Sequence, residues 1–137
     1  MARILSIDYG LKRTGLAWTD PLQIIATGVG CFPTNEVKAK IQELAAQEDI
    51  ETIVLGWPTR HDGSDTHSTP AVRKFSHWLN KRFSDKQIVL WDERYTSKLA
   101  LDAMIQAGVK KKRRSDKQLI NEVSATILLQ DYLEGNP

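Results

Sequence analysis

An α/β fold, a mixed five-stranded sheet flanked by helices, is what three features of this sequence predict. Short apolar runs alternate with amphipathic segments of helical spacing along most of the chain. The first two apolar runs are separated only by a Gly10-to-Arg13 turn, which favours an antiparallel hairpin, since a parallel pair needs a crossover of about a dozen residues or more. Nothing between residues 10 and 24 can supply a crossover helix, which argues against a purely parallel, doubly wound sheet.

The elements follow in order. Residues 3–9 read as a buried strand ending in Asp8-Tyr9-Gly10, residues 14–19 as a second and 24–32 as a third, closed by Pro33. Asn35 is the expected cap of a first helix, whose apolar positions Val37, Ile41, Leu44 and Ala45 share one face. A fourth strand over 52–55 is stopped by Gly56-Trp57-Pro58. A polar loop, 59–66, leads to a helix near 68–83 with Val72, Phe75 and Leu79 at helical spacing. Ile88-Val89-Leu90-Trp91 is the fifth strand and runs into Asp92-Glu93-Arg94. A helix from about Ser97 to Ala107 is expected to stop at Gly108. The last helix is expected to begin at Ser115, where Ser-Asp-Lys-Gln has capping-box spacing, and to run to about Leu133.

Composition narrows the classes of function. At 137 residues the chain is read as one domain, 1–137, large enough to bury about two-thirds of its unfolded surface. Its 41% hydrophobic and 26% charged residues are those of an ordinary soluble globular protein. A net charge of +2 does not by itself imply a nucleic-acid partner, but Lys110-Lys111-Lys112-Arg113-Arg114 concentrates five cations in a row. The single cysteine, Cys31, cannot form an internal disulfide and reads as a small buried hydrophobe. No apolar stretch approaches the roughly 18 residues of a membrane span, and no signal-peptide core is visible near the N-terminus. A cytoplasmic protein with no membrane partner is expected.

The chemistry-bearing pattern is a pair of acids at strand ends far apart in sequence, Asp8 and the Asp92-Glu93-Arg94 triplet. Open α/β sheets bind ligands beyond the carboxyl ends of their strands. Two carboxylates about 4 Å apart repel by roughly 4 kcal/mol at an effective dielectric near 20, so such a pair needs a proton or a cation between its members. Adjacent strand residues face opposite ways, so Asp92 and Glu93 cannot both face one ion if the strand extends through them.

Four segments carry a resemblance: Ile7-Asp8-Tyr9-Gly10 with Lys12-Arg13-Thr14-Gly15; Gly56-Trp57-Pro58 with Asp62-Gly63-Ser64; Asp92-Glu93-Arg94-Tyr95-Thr96-Ser97; and Ala125 to Leu133. In order and spacing the chain resembles, over nearly its whole length, the YqgF family, also called RuvX or Holliday-junction-resolvase-like nucleases. The resemblance implies a ribonuclease-H-like fold and a metal-dependent nuclease that trims the precursor of 16S ribosomal RNA at its 5′ end. A role in resolving four-way DNA junctions is the alternative. It implies Mg²⁺ or Mn²⁺ held by carboxylates, of which Asp8 and Glu93 match the first two. Asn121 stands where the family pattern has the third acid, an aspartate early in the last helix. Glu122 lies about 100° and Asp116 about 140° around the helix from Asn121, so neither shares its face. An amide oxygen can ligate a hard cation but brings no charge.

Around these catalytic candidates (Asp8, Glu93 and Asn121), Lys12 and Arg13 lie on the turn beyond Asp8, where backbone phosphates would be met. The basic run 110–114 reads either as a solvated loop before a helix or as a second phosphate contact, and Trp57 is the tryptophan best placed to stack on a base. Asp92 and Arg94 read as structural supports. His61, Asp62, Asp65 and His67 match no standard metal spacing, and His77 reads as a helix-surface residue. The expected partner is nucleic acid: pre-rRNA, within ribosomal precursor particles, or branched DNA. A four-way-junction resolvase would act as a homodimer, whereas a trimming nuclease can be a monomer. Two other classes compete: a nucleic-acid-binding homologue impaired by Asn121, and an actin-like nucleotide-binding protein. The latter needs two domains and a second phosphate loop, for which 137 residues leave no room.

Overall fold

A computed structural model describes residues 2–58, 69–92, 102–114 and 116–135. Strands β1 (Arg3–Asp8), β2 (Arg13–Thr19) and β3 (Ala26–Pro33) are followed by helix α1 (Thr34–Gln47), β4 (Ile50–Trp57), α2 (Thr69–Arg82) and β5 (Gln87–Asp92). Residues 102–106 are helical, a single helical turn spans Lys111–Arg114, and the C-terminal helix spans Lys117–Gly135. The sheet order is β3-β2-β1-β4-β5. β1 pairs antiparallel with β2, and β2 with β3, whereas β1, β4 and β5 run parallel. This is the mixed sheet expected from the short first turn.

Strand alternation divides the core into two layers. Leu5 and Ile7 of β1, Leu16 of β2, and Ile53 and Leu55 of β4 face α1 and α2, where they pack with Val37, Ile41, Val72, Phe75 and Leu79. Ile4, Ala17 and Val54 face the C-terminal helix and meet Ala125, Leu128, Leu129 and Tyr132. Ser6 belongs to this second face, and its buried hydroxyl donates to the Ala125 carbonyl at 2.7 Å. The C-terminal helix therefore runs antiparallel to β1, with its first turns over the carboxyl end of that strand.

Two local details differ from the sequence reading, and the stop at Gly108 agrees with it. Asn35 does not cap α1: Pro33 holds the cap position with no side-chain hydrogen bond, and Asn35 is already inside the helix. The Thr34 side chain instead points back, its hydroxyl donating to the Gly10 carbonyl at 2.6 Å, so α1 is tied to the β1–β2 turn. The C-terminal helix begins at Lys117, and Asp116 supplies its cap, accepting from the Gln118 amide at 2.9 Å. Gly108, with φ of 78°, follows the helical residues 102–106. Ser97 and Ser115 lie outside the described residues.

A bulge in β3 matters for the site. The β2–β3 register shifts between Leu16 and Ala17, which pair with Gly30 and Gly28, so Val29 is the extra residue. Gly28 and Cys31 are three apart, and strict alternation would put them on opposite faces. The bulge places both on the face covered by the C-terminal helix.

Candidate active site at the carboxyl end of β1

Asp8 is the last residue of β1 and is half-buried. It follows Ile4 and Ser6 on the face beneath the C-terminal helix. Two residues of strand advance about 6.6 Å, and four residues of helix about 6 Å. Stepping from the Ser6–Ala125 contact by these amounts leads to Asp8 on the strand and Asn121 on the helix. Gly15 confirms the juxtaposition. It pairs with Asp8, and a Cβ placed on it would run into the Asn121 backbone carbonyl, so only glycine lets the helix lie this close to the strands.

The Asn121 side chain is half-buried, and its Nδ2 donates to the Arg13 carbonyl at 3.4 Å. Across the sheet, Asp8, Gly15 and Cys31 form one register row on β1, β2 and β3. The Cys31 thiol thus lies on the strand face that the Asn121 backbone covers at Gly15. Burial pushes this thiol above its ordinary value; the Asn121 side chain and the positive charge of Arg13 oppose that shift, while the charges of Asp8 and Glu122 add to it. Cys31 thus belongs to the cluster, although the sequence reading made it a plain buried hydrophobe. Its strand-like setting was legible; the bulge that turns it toward Asp8 was not.

Glu122 does not replace the missing acid. Its carboxylate lies over Gly28 of β3, where Oε2 would stand 2.6 Å from a Cβ, two strands away from Asp8. Asp92 closes β5 opposite Trp57 and is exposed. Trp91, its predecessor, lies on the C-terminal-helix side, packing edge-on against Tyr132 and donating to Asp131 at 2.7 Å. Alternation therefore puts Asp92 on the side opposite Asp8. Glu93 and Arg94 lie outside the described residues, as do His61, Asp62, Asp65 and His67.

The cationic candidates divide by location. Lys12 is exposed and Arg13 half-buried on the pinned turn beyond Asp8, where the Thr34 amide donates to the Lys12 carbonyl at 3.0 Å. Lys110, Lys111 and Arg113 are exposed just ahead of the C-terminal helix, at the same end of the molecule as Asp8. The side chains of Lys112 and Arg114 lie outside the described residues. Trp57 packs on the α1/α2 side of the sheet, with the Arg73 guanidinium 5.7 Å from its ring centroid. His77 is exposed on α2.

Among the described residues no group of three or more His, Cys, Asp or Glu side chains is placed to hold a metal ion. They do offer oxygen donors suited to a hard cation, the Asp8 carboxylate and the Asn121 amide oxygen. One turn beyond Asn121, the Ser124 hydroxyl is buried with no hydrogen-bond partner. A buried orphan hydroxyl is what a bound water would satisfy. The donor set thus fits a divalent cation in part and needs a further carboxylate to complete it.

The strand order, the mixed pairing and the helix laid over β1 define a ribonuclease-H-like fold. The chain is similar to Thermus thermophilus RuvC, solved in complex with a Holliday junction substrate, with a TM-score of 0.58, 14% identity and coverage of 99% of this chain and 97% of the other. A family model described as RuvX, Holliday junction resolvase, matches residues 2–135, and the chain belongs to that family. Relatives named "Putative pre-16S rRNA nuclease" include one from Flavobacterium johnsoniae, 44% identical over 98% of both chains. Another, from Bacteroides fragilis, is 44% identical over 98% of this chain and 97% of its own. Among the described residues no helix is long and apolar enough to cross a membrane.

Proposed function

We propose that this chain is a divalent-metal-dependent nuclease that hydrolyses phosphodiester bonds of precursor 16S rRNA in the cytoplasm. The observation that carries the reading is the position of Asp8, at the carboxyl end of β1, facing the early turns of the C-terminal helix beside Asn121. The names of relatives 44% identical over nearly the whole chain favour RNA as the substrate.

Asp8 and Glu93, with the Asn121 amide oxygen as a neutral third donor, would hold Mg²⁺ or Mn²⁺. Such an ion, when bound, polarises the phosphate and lowers the pKa of the attacking water. Lys12 and Arg13, on a turn fixed by Thr34, meet the backbone phosphates beside the scissile bond. Lys110, Lys111 and Arg113 extend the positive surface along the same end and add salt-sensitive affinity. Asp92 and Arg94 support the strand end that delivers Glu93.

A second reading, a nucleic-acid-binding protein that does not cut, draws on Asn121, which brings an oxygen but no charge. Wild type and Asn121→Asp, assayed with Mg²⁺ and Mn²⁺ on labelled precursor rRNA and on a four-way DNA junction, separate the two. Cleavage of the RNA by wild type supports the nuclease. Binding without cleavage, with activity restored by Asn121→Asp, supports the second reading. Junction cleavage with intact RNA would contradict the choice of substrate.

A further inference from the structure

We propose that Thr14 and Thr34 are positioning residues for phosphate recognition, a pair of hydroxyls that presets the β1–β2 turn so that Lys12 and Arg13 meet a nucleic-acid backbone without first being ordered. The inference rests on the nucleic-acid reading above and adds to it two residues that act through the turn. Three observations carry it. The Thr34 hydroxyl donates to the Gly10 carbonyl at 2.6 Å and, with its one proton committed there, accepts from the Thr14 hydroxyl at 2.9 Å. The Thr34 amide donates to the Lys12 carbonyl at 3.0 Å, so one residue of α1 holds the turn at two points. Thr14 is fully buried, which seals the inner end of this relay from solvent.

The relay serves the turn rather than the helix. A threonine at a helix start commonly caps the free amides of its own first turn. Here α1 has no side-chain cap, and Thr34 points its hydroxyl backwards instead. Departures of this kind from a local rule concentrate at functional sites. The turn is also tight, since a Cβ on Gly10 would run into the Arg13 carbonyl. That carbonyl in turn accepts from Asn121 Nδ2 at 3.4 Å. The carbonyls of Gly10, Lys12 and Arg13 are thus all held from outside the turn, and exposed Lys12 and half-buried Arg13 stand on a fixed backbone. A preset backbone avoids the ordering cost that a loose one incurs on binding. Losing such a device weakens affinity but leaves the number of neutralised phosphates unchanged, whereas losing a cation also flattens the salt dependence.

The test uses the full chain and, as the probe, a fluorescent single-stranded RNA oligonucleotide from precursor 16S rRNA, with EDTA present so that nothing is cut. Affinity is measured by anisotropy over a range of salt, below the melting temperature of each variant. Thr34→Val is expected to bind about tenfold more weakly, the scale of ordering roughly one residue, with the salt slope of wild type. Thr34→Ser, which keeps the hydroxyl, is expected to recover most of that loss, and Thr14→Val to show a smaller loss in the same direction. The double variant Lys12→Ala/Arg13→Ala should lose affinity and flatten the slope by about 1.4. If the double variant weakens while Thr34→Val binds as wild type does, the proposal is overturned and the phosphate-contact reading of the turn stands. Equal losses in Thr34→Val and Thr34→Ser would also overturn it, by assigning the effect to packing. If the double variant binds as wild type does, the phosphate-contact reading itself fails and takes the proposal with it.

Discussion

Ser6, Gly15 and Asn121 show how single residues set the distance between the C-terminal helix and the end of β1. The Ser6 hydroxyl is fully buried on the Ala125 carbonyl. Ser6→Ala is expected to cost about 1 kcal/mol in chemical denaturation, the usual net worth of one hydrogen bond. Gly15→Ala has no such latitude, because its Cβ would meet a backbone carbonyl that moves only with the helix. A loss of about 1–3 kcal/mol is expected, together with weaker Mn²⁺ binding as Asn121 is pushed away from Asp8. Asn121→Asp should act in opposite directions on stability and on metal. Without metal, a carboxylate would replace the amide donor facing the Arg13 carbonyl and add a second negative charge near Asp8, lowering the melting temperature. With Mg²⁺ present the same charge should tighten binding. Melting curves with and without Mg²⁺ check the crossover, and a loss of stability under both conditions would count against Asn121 facing the ion.

At the level of elements, the C-terminal helix and the turn before it carry most of the functional argument. If all five residues from Lys110 to Arg114 engage single-stranded RNA, log affinity against log salt should fall with a slope on the order of −3.5. Replacing the five with alanine should flatten that slope, as measured by fluorescence anisotropy. An unchanged affinity and slope would remove the basic run from the interface. The elements were largely legible in the sequence because each rested on a strong local signal: a short turn for the first hairpin, helical spacing at Val37, Ile41 and Leu44, and Gly-Trp-Pro after β4. Asp8 and Asn121 were legible through motif position. Local capping was less so: Asn35 has cap chemistry, but Thr34 is the residue whose side chain bonds near the start of α1, and Asp116 caps the C-terminal helix. Cys31 escaped the sequence because a bulge two residues earlier reverses its face, and no composition signal announces a bulge.

On the scale of the whole molecule, the sheet places the candidate site at one end and a hydrogen-bonded apolar turn at the other. Asp20 accepts from the backbone amides of Leu22, Ile24 and Ile25 at 3.1, 2.8 and 2.7 Å. These bonds, that from Ile25 foremost, hold its carboxyl below the ordinary value of 3.8. A depressed carboxyl stabilises the fold above its unfolded value, and that contribution is lost as pH falls through the folded value. The advantage of wild type over Asp20→Asn in denaturation should therefore be full near neutral pH and shrink once the pH drops below 3.8. An advantage constant across that range would contradict the assignment. At the opposite end of β1, the account stands on Asp8. Cleavage of a labelled precursor 16S rRNA fragment with Mg²⁺ or Mn²⁺, by wild type and by a folded Asp8→Asn variant, tests it most directly. The expected result is cutting by wild type and a loss of at least about 100-fold in the variant; cleavage that survives Asp8→Asn would place the chemistry elsewhere.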